Sequence, residues 1–533
     1  MIVGFIFIGL SLLFSFSPLV KRSWGLNDTA FFDPWMIILF YLLLLFFWFP
    51  QTNRYIVEKL CSINKNGIFS SLRKYRYVIF ILAGIVAGIC FYLLKIKYIF
   101  LGDTDIRAKQ IEEGIFLKEE YLTMLSLKYA YRWLHEKFAF TGVLTIRLLD
   151  YISGSIFIFL SLCIANLLGN TCLKKLAVFF MATLSLAALL LFCGYTEIYA
   201  LPALFLLAYL YAALLYLKGK VSVFIPVFTL LTGIGFHLML VAMFPSLFYL
   251  VYFKALWKYP FFRKKRTLSG LVIIFAPFLY VAFNKFAHPM MLPLQNDNGL
   301  LTLFSSAHYV EFFNSQMLGA GIGFLIWLTT LVLSVVHKIK YDAKLWFFQI
   351  ASLSVSGMIF VFRMDRGSGD WDICSFAPIV YNAANACFLI SVYERKLYRN
   401  IKYGILMIAG FSVLHTSAWI FTNKSDASIQ WLETAFSTDP ANYYKTSFHN
   451  ESMLSAVFSA NDLPEHAIKW GKKAYLKYPN DHRTGYNYAN LLIALNRSEE
   501  GYAIMEQLLK SFPGYALPYT HLIAHYVKIK DYN

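Results

Sequence analysis

Apolar runs of about twenty residues recur along most of this chain, separated by short segments in which lysine and arginine collect. A run of that length must face either lipid or protein on every side, and so many in one chain leave only a polytopic membrane bundle. The composition agrees: 59% of the 533 residues are hydrophobic, 18% aromatic and only 15% charged. A formal charge of +18 could point to nucleic acid. Its lysines and arginines sit between apolar runs, however, which is the positive-inside pattern, so nucleic acid is set aside as a partner. The seven cysteines are scattered and mostly within or beside apolar segments, so neither a disulfide framework nor a zinc spacing follows.

The expected spans lie near 2–20, 34–49, 77–94, 143–168, 176–193, 198–217, 221–234, 237–253, 268–286, 318–336, 345–362, 374–392 and 401–421, about thirteen crossings. The first lacks a basic leader and a small-residue cleavage site, so it reads as a retained span. Two divisions rest on sidedness. As a single helix, 221–253 would be roughly 50 Å long. Lysines flank both of its ends, and Gly233 and Gly235 lie at its middle, so it crosses twice. The same logic splits 176–217 at Gly194-Tyr-Thr-Glu197.

With those divisions the basic loops alternate regularly with acidic ones; Lys21-Arg22 alone falls on the other side. The N-terminus is then cytoplasmic, and the acidic loops and the C-terminal part are extracytoplasmic. Four regions result: N-terminal spans over 1–94, a large outer loop over 95–142, the remaining bundle over 143–421 and a polar tail over 422–533. Within the outer loop the pattern predicts a helix over 105–113 ending at Gly114. It predicts a second, amphipathic helix over 119–138, with Leu122, Leu125, Tyr129, Trp133 and Leu134 on one face, suited to the membrane interface.

Sorting polar residues by side gathers Asp103, Asp105, Arg107, Glu197, His237, His288, Arg363, Asp365, Arg366, Asp370 and Asp372 on the outer face. Ionisable groups at the ends of spans are costly unless they meet each other or a cavity. Asp103 and Asp105 open the outer loop, where a carboxylate pair can serve as general base or bind a cation; Gly-Asp-Thr-Asp is equally a helix N-cap. Glu197 and His237 can likewise cap helix ends, and 363–372 also reads as a surface turn. Arginine forks at Arg363 and Arg366 match phosphate oxygens, and the glycines of Gly367-Ser-Gly369 allow backbone N–H groups to approach closely. Asp103, Asp105, Asp370 and Asp372 could supply oxygens to a divalent metal, but no spacing demands one, and no cofactor is called for.

In the tail, Pro440, Pro479 and Pro513 follow one another at a near-regular interval, with Ala467-Ile-Lys-Trp-Gly and Ala503-Ile-Met-Glu-Gln at matching positions upstream. This resembles tetratricopeptide repeats, helix pairs stacked into a solenoid. The fold class expected is therefore all-α: a membrane helical bundle followed by a small soluble α-solenoid.

Many spans, a first large outer loop that opens on an acid, and interfacial helices within it resemble the GT-C superfamily of integral-membrane glycosyltransferases. The repeats are similar to those of tetratricopeptide-bearing O-mannosyltransferase-like proteins. The acidic loop here follows the third expected span, so either two extra spans precede the shared module or the first two expected spans are not crossings. The resemblance implies a polyprenyl-phosphate-sugar donor, a protein or glycan acceptor gripped through the repeats, and a place in the cell envelope; the composition points to a bacterial inner membrane. It makes Asp103 similar to the catalytic carboxylate, with Asp105 second. Arg363, Arg366, His237 and Arg107 would hold the lipid phosphate, and Glu197, Asp370 and Asp372 would support the acceptor. A polymerase or ligase of lipid-linked glycans, and a non-enzymatic scaffold anchored by its spans, are the alternatives.

Overall fold

The computed structural model describes residues 25–26, 28–63, 73–100, 104–115, 120–258, 291–292, 294, 302–362, 370–395, 401–438 and 449–529; of 104 and 105 the backbone alone is described. The expected spans 2–20 and 268–286 lie outside these residues. The described chain is helical, and within it the one extended pairing is an isolated bridge between Met291 and Phe362.

In chain order the helices are α1 (Pro34–Trp48), α2 (Pro50–Ile63), α3 (Arg76–Leu93), α4 (Thr104–Glu113), α5 (Tyr121–Phe138), α6 (Gly142–Leu168), α7 (Cys172–Phe179), α8 (Ala200–Leu217), α9 (Phe224–Phe236), α10 (Phe244–Lys258), α11 (Ser306–Ala320), α12 (Gly323–Val336) and α13 (Ala343–Val361). They continue as α14 (Trp371–Glu394), α15 (Ile401–Lys424), α16 (Ala427–Thr438), α17 (Asn450–Ala460), α18 (Pro464–Lys477), α19 (His482–Ala494), α20 (Ser498–Ser511) and α21 (Ala516–Ile529). Six of these, α3, α6, α8, α13, α14 and α15, are long and apolar enough to cross a membrane, or up to eight if two bent pairs each count as one span. The chain is an integral membrane protein with an all-α bundle.

The chain divides into two compact units, with the boundary inside α16. In the first, α14 lies at the centre and is buried from Trp371 to Ile390. Two of its asparagines bond to the surrounding elements: the Asn382 amide donates to Ser185 Oγ at 2.9 Å and the Asn385 amide to the Gly323 carbonyl at 2.8 Å. The first of the long helices, α3, lies at the other extreme. Ile81, Leu82, Ile85, Val86 and Ile89 are exposed, as a lipid-facing stripe requires. Its inner face carries Gly84 and Gly88, where a methyl group would come within 2.7 Å of the Ser155 carbonyl and 2.1 Å of Ser155 Oγ on α6. A pair of glycines four apart lets two membrane helices approach this closely.

Two expectations need correction. The run 176–193 is not one regular span: α7 gives way to a π turn over Phe180–Leu184 and a 3-10 turn over Ala187–Phe192, all within the core. No glycine or proline stands at that break; tertiary packing imposes it. The expected span 318–336 begins inside α11, which bends by 102° into α12 at Gly321. On α5 the residues buried against the protein are Thr123, Met124, Leu127 and Leu134, while Tyr129 and Trp133 stand on the exposed face. Of the face expected to meet the membrane interface, Leu134 is buried and Leu122 and Leu125 are half-buried, leaving the two aromatic residues outermost.

The second unit contains Leu432–Asn533 and, from far upstream, the described residues of Tyr98–Leu101. Helices α17 to α21 each pack on the next. Glu433 ties the start of the array together, accepting from Trp470 Nε1 at 2.7 Å and Lys469 Nζ at 3.0 Å. Pro479 and Pro513 directly follow the C-caps of α18 and α20, where a helix that cannot continue is expected; Pro440 lies outside the described residues. Segment 98–100 is held by Asn461, whose side chain accepts the Ile99 N–H at 2.6 Å and donates to the Ile99 carbonyl at 2.8 Å.

Candidate functional site

The site is built on the ends of α4, α5, α6, α8, α9 and α14. Helix α4 stops at Gly114, whose φ of +74° suits glycine at a helix C-terminus. It is moored to α6 by Glu112, which accepts the Gly142 N–H at 2.7 Å. From α4, Arg107 donates to Gln110 Oε1 at 3.2 Å and sets its second terminal nitrogen 3.6 Å from Glu120 Oε1 at the start of α5. Both side chains are largely buried, so the pair is poorly screened.

His237 faces the same carboxylate. It occupies the break after α9, with extended backbone (φ −156°, ψ 128°). Its Nδ1 accepts the Met239 N–H at 3.1 Å, which requires that nitrogen to be unprotonated, so the ring is neutral with its proton on Nε2. Nε2 lies 3.9 Å from Glu120 Oε1. The break is pinned by Thr123, whose hydroxyl donates to the Phe236 carbonyl at 2.7 Å.

A second group forms at the turn before α8. Gly194 and Thr196 both have positive φ, +67° and +59°, and the reversal presents the Thr196 N–H to Asp150 Oδ2 at 3.3 Å. Glu197, buried, accepts the adjacent Ile198 N–H at 3.3 Å, ahead of Tyr199, the N-cap of α8. Tyr195 accepts a hydrogen bond from Trp371 Nε1 at 3.0 Å, bringing in α14. Asp372, also buried, accepts the Ile373 N–H at 2.8 Å. Tyr199 links the two groups: its ring lies 5.2 Å from that of His237 and 6.0 Å from that of Phe376. Its hydroxyl lies within electrostatic reach of Glu120, Glu197, Asp370 and Asp372.

The structure thus brings Arg107, His237, Glu197, Asp370 and Asp372 to one end of the bundle. Asp103, Arg363 and Arg366 lie outside the described residues, as does the side chain of Asp105. Three participants escaped the sequence reading. Asp150 carried a signal, being a lone acid inside an apolar run. Glu120 had none to separate it from an ordinary first-turn acid, and Tyr199 was one tyrosine among 36. Chemically, the assembly offers carboxylate acceptors, a neutral imidazole N–H donor, phenol hydroxyls and two guanidinium groups, Arg107 and, at the Gly194 turn, Arg147. That set suits a hydroxyl-rich or anionic ligand more than an apolar one. Among the described residues no three His, Cys, Asp or Glu side chains are placed to share a metal ion.

No family model matches the chain, and no curated protein matches it. One solved structure does: ArnT from Cupriavidus metallidurans bound to undecaprenyl phosphate, at 12% identity and a TM-score of 0.40, covering 68% of this chain and 81% of that one.

Proposed function

We propose that the chain is a membrane glycosyltransferase that moves a sugar from a polyprenyl-phosphate-linked donor to a protein or glycan acceptor on the extracytoplasmic side. The observation that carries this reading is the meeting of Arg107 and His237 at Glu120, beside Glu197 and Asp372, at the heads of spans. Burying that many ionisable groups without use is costly. The GT-C resemblance of the sequence supplies the reaction.

In this reading the acceptor hydroxyl oxygen attacks the anomeric carbon. The new C–O bond forms as the bond from that carbon to the phosphate oxygen breaks, and the phosphate leaves with the electron pair. Asp103, or failing it Asp105, takes the hydroxyl proton. Arg363, Arg366 and Arg107 hold the departing phosphate. The His237 Nε2–H and the carboxylates Glu197, Asp370 and Asp372 hold sugar or acceptor hydroxyls. The C-terminal helices present the acceptor.

The test replaces Asp103 and Asp105 singly with Asn and measures sugar transfer from a lipid-linked donor by the full-length protein. Loss of a general base lowers the rate by roughly 10²–10⁴; full transfer by both variants removes the assigned base. A chain acting only as a scaffold transfers no sugar in any form.

A further inference from the structure

At the far ends of the same helices lies a cavity of about 530 Å³ that the transferase reading does not use. Helices α6, α8 and α14 begin at the acidic site described above and finish at this cavity, where α3 and α13 start. Its wall carries five cations, Arg76, Lys175, Lys218, Lys220 and Lys344, against two acids.

Both acids are already engaged. Asp342 accepts the Leu345 N–H at 2.9 Å as the N-cap of α13 and lies 3.4 Å from Lys344. Glu394 pairs with Lys174 at 2.7 Å. The cations also act on one another: partial burial, then the like charges of Lys344 and Lys220, push the Lys218 ammonium below its ordinary range. A formed pocket whose wall carries an excess of three positive charges (five cations less two acids) is stabilised by an anion that enters it. The pocket is framed by the termini of five candidate spans, which places it at the depth of lipid headgroups, and basic pockets between membrane helices bind phosphorylated headgroups.

We propose that this cavity is a phosphate-binding site at the opposite end of the bundle from the candidate active site, filled by the headgroup of an anionic membrane lipid. Lys218 and Lys344 supply charge-assisted hydrogen bonds to the phosphate oxygens, while Asn166 and Asn170 at the end of α6 border the same space.

The inference does not depend on the transferase reading, because its test measures binding and not sugar transfer. Full-length protein in detergent is exposed to phosphatidylglycerol, to phosphatidylcholine and, separately, to inorganic phosphate, and retained ligand is measured by native mass spectrometry. Phosphatidylglycerol should be retained over phosphatidylcholine. Lys218→Gln and Lys344→Gln should each weaken retention about fivefold, and together about thirtyfold, with Lys218→Arg restoring it. Lys109→Gln, an exposed position on α4, should change nothing. Thermal unfolding of each variant separates loss of the site from loss of the fold. Displacement of lipid by inorganic phosphate, or phosphate binding that needs Lys218 and Lys344 without lipid preference, supports a pocket that reads the phosphate group alone. Equal retention of the two lipids with no phosphate binding, or retention unchanged in the folded double variant, overturns the proposal.

Discussion

The pairing of Arg107 with Glu120 gives the most direct test of the candidate site. At 3.6 Å and an effective dielectric of about 20, their attraction amounts to about 4.6 kcal/mol. Relaxation and desolvation reduce what an experiment reads to about 2–3 kcal/mol. The assay is a double-mutant cycle, Glu120→Gln, Arg107→Met and the two together, on full-length protein titrated with SDS in mixed micelles and followed by tryptophan fluorescence. Each single variant should lose stability, and the double variant should lose less than their sum by that coupling energy. Glu120→Gln keeps the volume and one acceptor toward His237 Nε2, so the cycle isolates charge from packing. A coupling below about 0.5 kcal/mol would mean that the two side chains are neighbours without an energetic bond. The electrostatic account of the site would then be wrong.

Further outcomes are expected elsewhere in the molecule. Gly88→Leu should drive α3 off α6, because a methyl group alone already meets Ser155 Oγ; a loss of about 1–3 kcal/mol in the same titration checks it, with Ile89→Leu on the exposed face as the neutral control. Asn461→Ala removes both side-chain bonds to Ile99, so exchange of the Ile99 amide should quicken by about tenfold or more; unchanged exchange would deny that Asn461 holds the segment. Asp481 receives hydrogen bonds from the Arg483 side chain at 2.9 and 2.7 Å, and these hold its carboxyl well below the ordinary 3.8. A depressed carboxyl stabilises the fold above its unfolded pKa and loses that contribution as the pH falls through its folded value. Asp481→Asn should therefore be the less stable protein at neutral pH, with the gap narrowing below about pH 4; a gap constant into acid would refute the assignment.

The parts of the fold legible in the sequence were those written in local chemistry. Gly114 marked the end of α4 and the Gly194–Glu197 turn marked the head of α8, because both glycines occupy a backbone region that few other residues tolerate. Pro479 and Pro513 stood where α18 and α20 had to stop. What escaped was decided at a distance. The run Phe180–Phe192 reads as uniform helix, yet the packing of α14 and α15 around it favours a π turn and a 3-10 turn. In the site, sorting polar residues by membrane side had already grouped Arg107, His237, Glu197 and Asp372. The hub between them, Tyr199, could not be singled out, because a tyrosine near a span end is ordinary in a membrane protein.

Helix α6 has one more consequence. It has 27 residues against the 18 of α8, and the two finish level, the Lys218 ammonium reaching the Leu167 carbonyl. Asp150 meets the Thr196 turn, so the surplus lies beyond it: residues 142–149 form a post about 12 Å tall, with Ile198 from the head of α8 in the same apolar cluster as Ile146. Ala108 and Ile111 of α4 and Met124 and Leu127 of α5 share one apolar cluster with Ile146 on that post. The two loop helices are thereby bolted to a transmembrane rod. A tilt of α6 would carry Arg107 and Glu120 with it as one piece, and through the Thr123 bond to Phe236 the His237 break as well.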